Sequence, residues 1–366
     1  MASNFSRRAA LKNALALGAG VSALGLSGCK DLVDVLGQAC PENPAEEGGI
    51  DWVPDVMHPV AHGFRDLDVA DGAPGPVRVW YPTYEVFPDG PAHPVPILKH
   101  CLARWPVVLF LHGQPPCPIP NYNRTWTDLP ADLARSGYVV VAPQHEATLP
   151  ADNSSAPFVA SFIDWARSGW EHSRWVDKRG VSTAVVGHSY GALLTARVAQ
   201  IRSDVAACVC LSGPWDELND KIATLNAINR PTFFMWAVGP FFENLDDHGV
   251  WDQLAFTKYG ASFPGEHFDY ITQPPGCGQP RGGCGLIKSA AADLVALFLS
   301  RYVPVAASKT DIPLTLIPFP APLTPKQQFY GANRLSGVDL IQHQTGCHID
   351  LKWREDSLHG SRVLGT

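Results

Sequence analysis

The run Thr183-Ala184-Val185-Val186-Gly187-His188-Ser189-Tyr190-Gly191-Ala192-Leu193-Leu194 governs how the rest of the chain is read. Thr183 to Val186 is short, apolar and β-favouring, whereas Gly191 to Gln200 is rich in Ala and Leu and predicts a helix. Between them lies Gly187-His188-Ser189-Tyr190-Gly191, a Gly-x-Ser-x-Gly motif at the point where a strand must turn sharply into a helix. Such a turn exposes the serine hydroxyl, and the two glycines remove side chains that would block it. The helix end behind the serine favours negative charge developing in front of it. Ser189 is therefore the candidate nucleophile.

Outward from this motif the pattern repeats. Trp105 to Leu111 and Tyr138 to Ala142 are continuous apolar runs enclosing a helical stretch, Asp128 to Ser136. A helix over Pro157 to Ser168 precedes the motif, and strands over Val205 to Leu211 and Thr232 to Ala237 follow it. Ser289 to Arg301 closes the series as a helix, and two early β-rich runs, Phe64 to Val69 and Pro76 to Tyr81, open it. Helices alternating with fully apolar strands predict an α/β fold, with a mostly parallel central sheet and helices on both faces. No repeat and no Gly/Ser linker interrupts residues 61–302, which read as one domain. Residues 29–60, with Pro41, Pro44, Glu46 and Glu47, read as a tether. Residues 303–366 read as a C-terminal appendage with one strand over Ile349 to Trp353.

A serine hydroxyl is a weak nucleophile until a base takes its proton. His267, in Phe263-Pro264-Gly265-Glu266-His267-Phe268-Asp269-Tyr270, is the expected base, with His248 second. His188, next to the serine, should point away and pack, and His112 reads as a loop brace. The acid that orients the base should follow Thr232 to Ala237. That loop offers Asp246, then Glu243, with Asp247 also present, and Asp216 follows the preceding strand. Two backbone N–H groups are needed to hold a developing oxyanion, and Tyr190 and Gln114, the latter after His112-Gly113, stand where they would be supplied. Tyr122, Trp126, Trp165, Trp170, Trp215 and Phe241 are candidates for an aromatic wall around this edge, though aromatics more often fill cores. No long insertion separates the strands near the motif, so an open cleft that admits bulky or polymeric esters is expected.

The segments Val77-Arg78-Val79-Trp80-Tyr81-Pro82, Leu109-Phe110-Leu111-His112-Gly113, Gly187 to Gly191 and Gly265 to Tyr270 resemble the α/β-hydrolase superfamily. Within it they are similar to secreted esterases of the platelet-activating-factor acetylhydrolase, polyester hydrolase and cutinase-like group. The resemblance covers roughly residues 64–302, and it implies hydrolysis of carboxylic esters through an acyl-enzyme on Ser189, with no cofactor and no metal. Peptidase, thioesterase and acyltransferase chemistry would use the same groups. Relatives of this kind place an aspartate directly after the strand that Thr232 to Ala237 represents, whereas this chain has Val238-Gly239-Pro240-Phe241-Phe242. That departure supports the alternative of a catalytically weak binding protein for an apolar ligand, built on the same scaffold.

Composition sets the remaining bounds. With 28 basic against 35 acidic residues the chain carries a net charge of -7, which argues against nucleic acid as a partner. Ser6-Arg7-Arg8-Ala9-Ala10-Leu11-Lys12, followed by an uncharged run from Ala14 to Gly28, resembles a twin-arginine export signal. Leu26-Ser27-Gly28-Cys29 resembles a lipobox, so residues 1–28 are expected to be removed. Twin-arginine export machinery is then a partner, and Cys29 becomes a lipid anchor on a periplasmic or cell-surface protein. Outside the cytoplasm disulfides persist, and Cys277 with Cys284, Cys101 with Cys117, and Cys40 with Cys347 are candidate pairs. Cys208 and Cys210 lie in an apolar run and are expected to remain free thiols.

Overall fold

The computed structural model describes residues 61–83, 104–115, 119–146, 155–218, 220–238, 250–264, 267–268, 285–303, 352–357 and 360–364. In chain order the strands are β1 (Ala61–Leu67), β2 (Val77–Thr83), β3 (Val107–Leu111), β4 (Val139–Pro143) and β5 (Thr183–His188). They continue as β6 (Val205–Leu211), β7 (Thr232–Val238), β8 (Lys258–Pro264), β9 (Lys352–Ser357) and β10 (Gly360–Leu364). The helices are α1 (Asp128–Arg135), α2 (Ser155–Ser168), α3 (Tyr190–Ile201), α4 (Lys221–Asn226), α5 (Val250–Gln253) and α6 (Gly285–Tyr302).

Among the described residues, ten strands join one sheet in the order β1-β2-β4-β3-β5-β6-β7-β8-β9-β10. The run from β4 to β8 is parallel, and the pairs β1/β2, β2/β4, β8/β9 and β9/β10 are antiparallel. Parallel strands need crossovers, and these are the helices that cover the sheet: α1 packs on α6, and α2 on α3. Double coverage explains why β3, Val-Val-Leu-Phe-Leu, has no polar residue, since every side chain in it is buried. Each such burial contributes roughly 1.5–3 kcal/mol relative to exposure. The expected α/β architecture is therefore the one observed.

The topology also selects the place for a site. From β3 the chain crosses to β4 on one side and then returns to form β5 on the other, with Leu111 beside Gly187. The chain reverses direction of crossover between β3 and β5, and the C-terminal ends of strands at such a point are where open α/β sheets bind ligands.

Three expectations change in detail. The first early strand stops at Leu67, because Val69–Asp71 forms a 3-10 turn in which the Ala70 N–H donates to Asp68 Oδ1 at 2.7 Å. Strand β8 has no counterpart in the sequence reading, because Lys258, Gly260 and Ser262 interrupt its apolar pattern. Tertiary contacts account for two of these. Lys258 is buried with its ammonium donating to the Leu254 carbonyl at 2.6 Å, and a Cβ on Gly260 would stand 2.9 Å from the Trp251 ring. The tail contributes two strands where one was expected, beginning at Lys352, while 349–351 lie outside the described residues. They extend the sheet past β8, with Lys258 opposite Asp356 and Ser262 opposite Lys352.

Cys208 and Cys210 are buried free thiols on β6, and burial pushes the Cys208 thiol up to about 12 and that of Cys210 well above its ordinary value. Cys29, Cys40, Cys101, Cys117, Cys277, Cys284 and Cys347, and with them the candidate pairs, the lipobox and the tether, lie outside the described residues.

Candidate active site

Ser189 sits between the end of β5 and the first residue of α3, with φ 55° and ψ -123°. A non-glycine residue at positive φ is strained, and such strain costs of order 1–3 kcal/mol where the surroundings impose it. The surroundings here are backbone. The Ser189 N–H donates to the Leu211 carbonyl at 2.8 Å, and its own carbonyl accepts from the Ala192 N–H at 2.8 Å. A Cβ on Gly187 would overlap the Gly191 carbonyl, and one on Gly191 would overlap the carbonyl of Leu111. Both motif glycines are therefore demanded by close approach of main chain to main chain. The hydroxyl-bearing residue is left half-buried while its neighbours His188 and Tyr190 are buried.

The loop after β3 faces this turn at close range. A Cβ on Gly113 would stand 2.7 Å from Ser189 Cβ and 3.1 Å from His188 Nδ1, so only glycine lets the two loops meet. His112, fully buried, has its Nδ1 2.8 Å from the Gly113 carbonyl oxygen, and its Nε2 accepts from the His145 N–H at 3.4 Å. A carbonyl only accepts, so the proton is on His112 Nδ1. The peptide joining Gly113 to Gln114 is planar and trans, so fixing its carbonyl on one side turns the Gln114 N–H to the other. The Tyr190 N–H opens α3, in the turn whose amides have no intrahelical acceptor. These are the two amides expected to face an oxyanion.

His112 is supported from behind by His145, whose ring stacks on it at 3.9 Å between centroids and 10° between planes. His145 donates from Nδ1 to the Glu146 carbonyl at 3.0 Å, and its ring lies 6.3 Å from that of Tyr190. Burial pulls His145 down to about 4 and His112 well below its ordinary 6.5, so both are neutral at pH 7. His145 was not among the candidates. It follows the apolar β4 as His112 follows the adjacent β3, and that shared position is the signal that marks it.

His267 is half-buried at the same corner, its ring 4.6 Å from that of His188 and 4.8 Å from that of Phe268. Burial lowers it to about 4. His188 is buried, as expected, but it also makes a specific contact: its Nε2 donates to the His267 carbonyl at 2.8 Å. Asp216 is an exposed carboxylate paired with the Lys221 ammonium. Glu243, Asp246, Asp247 and His248 lie outside the described residues.

The described aromatic candidates are core residues, the more frequent fate of such rings. Tyr122, Trp126, Trp165, Trp170 and Trp215 are all buried, and Phe241 lies outside the described residues. Trp126 packs 4.9 Å from Phe110 and 5.1 Å from His188, and Trp215 lies against Gly213 and Phe234. Trp126 and Trp215 support the loops from beneath, whereas Trp165 and Trp170 lie toward the opposite edge, where Arg167 between them reaches Thr183 and Asp204 at the starts of β5 and β6.

The alpha/beta hydrolase family model matches residues 108–340, which takes in more than half of the chain. The chain belongs to the alpha/beta hydrolase family. No curated protein matches it. The family match begins within β3 and includes the Ser189 turn and His267, while β1 and β2 precede it and β9 and β10 follow it.

Proposed function

We propose that this hydrolase-fold protein cleaves carboxylic esters through an acyl-enzyme on Ser189. The observation that carries the reading is the meeting of two loops. Ser189 is held at φ 55° against Gly113, and the next peptide has its carbonyl tied back by His112 so that the Gln114 N–H faces the other way. In the reaction the Ser189 oxygen bonds to the ester carbonyl carbon while its proton passes to the His267 imidazole. The carbonyl oxygen takes the negative charge, which the Gln114 and Tyr190 amides stabilise. Collapse breaks the bond to the alcohol, which leaves with the proton from His267, and water then releases the acid by the same steps in reverse order. A carboxylate orients His267, and Asp246 or Glu243 fills that role better than Asp216, which is exposed and committed to Lys221.

Similarity to secreted esterases of the platelet-activating-factor acetylhydrolase and polyester hydrolase group supports an exported enzyme acting on small or polymeric esters. Export by the twin-arginine route and anchoring through Cys29 belong to the same reading. A membrane-fraction mass spectrum in which the chain starts at a lipid-modified Cys29 is its test.

Hydrolysis of para-nitrophenyl esters of increasing chain length, beside Ser189→Ala and a fluorophosphonate label located by peptide mass, tests the chemistry. Turnover lost in the variant, with the label on Ser189, is the expected result. Folded protein with neither turnover nor label would instead be a hydrolase-fold binding protein.

A further inference from the structure

The geometry points to His188 as a positioning residue that ties the base-bearing turn to the nucleophile's own backbone. This deepens the proposed function and rests on it. His188 occupies the first variable position of Gly-x-Ser-x-Gly, so its main chain is bonded directly to that of Ser189. Its side chain is fully buried and spans to the far side of the site, where Nε2 donates to the carbonyl oxygen of His267 at 2.8 Å. The two imidazoles also pack on each other, with centroids 4.6 Å apart and planes at 43°. Trp126 at 5.1 Å and Phe268 at 6.1 Å flank the His188 ring.

The direction of the bond follows from chemistry. A carbonyl accepts only, so the proton must sit on His188 Nε2. Burial, reinforced by the neighbouring His267, holds His188 well below its ordinary value, so it carries a single N–H at pH 7 and that N–H is the one committed to His267. The contact is made to the main chain of the base and not to its ring. His267 follows β8 in a turn outside the regular ladder. Through His188 that place is referred to the Ser189 turn itself. If the turn moves, the base moves with it, and the distance between the reacting groups is preserved. The bond joins a fully buried ring to a main-chain carbonyl, so the effect is on alignment.

The test uses the full chain, with His188→Gln and His188→Met compared with wild type. The glutamine amide nitrogen lies as many bonds from Cα as His188 Nε2 and restores the donor, whereas methionine fills the space without one. Misplacing a reacting group by about 1 Å costs on the order of a hundredfold in rate, so His188→Met is expected to lose about thirty- to a hundredfold in kcat. KM should stay within about twofold, since ground-state binding does not use the bond. The rate of fluorophosphonate labelling of Ser189 should fall in parallel, because labelling also needs the base in place. His188→Gln should recover most of both rates while melting no higher than His188→Met. Equal losses in the two variants, or no loss in either, would overturn the inference and leave His188 as packing. If His188→Met does not fold, His188→Asn replaces it, since its amide falls one bond short of the carbonyl. Wild-type protein that neither turns over nor labels at Ser189 defeats the proposed function instead, which separates the two failures.

Discussion

The turn at Gly187–Gly191 and the turn at His267–Phe268 reach the same corner of the sheet by different means. The first is determined over five residues by main chain pressed against main chain. Gly187 faces the Gly191 carbonyl, Gly191 faces the Leu111 carbonyl, and Ser189 takes the positive φ that remains. The second, among the described residues, meets a bond and a ring contact from His188, 79 residues away in sequence. A nucleophile placed by backbone sterics is rigid and tolerates no change in its glycines. A base placed by side chains can be adjusted, and losing one contact should weaken it by degrees.

The sharpest way to break this contrast is Gly191→Ala. Its Cβ meets the carbonyls of both Leu111 and His112, neither of which can yield without moving β3, so the cost should exceed about 4 kcal/mol. Failure to recover folded protein is expected. A variant that melts like wild type would mean the turn is softer than its geometry implies. Ser189→Ala should keep the fold and lower kcat by about ten thousandfold or more, the scale seen when a nucleophile is removed.

Gly113→Ala addresses the meeting of the two loops. Its Cβ would push against Ser189 Cβ, displace the Gln114 amide, and reduce kcat by about a hundredfold or more, the usual cost of one oxyanion donor. Steady-state kinetics showing a rise in KM with kcat unchanged would assign this loop to substrate binding instead. Ser189→Gly relieves the positive φ and should raise stability by up to about 1 kcal/mol in urea unfolding while abolishing turnover. A lower stability would show that Ser189 is not strained.

Acid supplies a graded test of the buried imidazoles. His112, His145 and His188 stay neutral in the folded protein below 6.5, His145 down to about 4, whereas the unfolded chain takes up protons near 6.5. Protons therefore favour the unfolded chain, and stability should fall as pH drops from 6.5 toward 4. The slope is at most about 1.4 kcal/mol per pH unit for each group. Urea midpoints at pH 7 and pH 5 measure it, and His145→Leu should flatten the slope by one such contribution. A midpoint independent of pH in that range would contradict the burial of these rings.

The apolar strands and the motif were legible because each carries a local cause. A parallel strand covered on both faces favours apolar side chains, so β3, β4 and β6 announce themselves as apolar runs, and β5 does so over Ala184 to Val186. Strand β8 was not legible, because Gly260 and Lys258 are there to suit Trp251 and Leu254, residues that the strand meets only after folding. The aromatic candidates show the opposite effect. Trp126 and Trp215 follow β3 and β6 in the chain, yet they are drawn inward to cover the ends of the strands, while Trp165 and Trp170 lie toward the opposite edge.

From the residues alone came the α/β class, the Ser189 turn and the two loops that would serve it, since each depends on periodicity or on glycines within a few positions. His267 followed only as an imidazole in a loop of suitable place. Tertiary structure alone decided that His112 grips the Gly113 carbonyl, that His145 stacks behind it, and that His188 reaches across to His267. These contacts join strands that are neighbours in the sheet and distant in the chain. Their geometry depends on sheet order and register, which no local pattern of residues encodes.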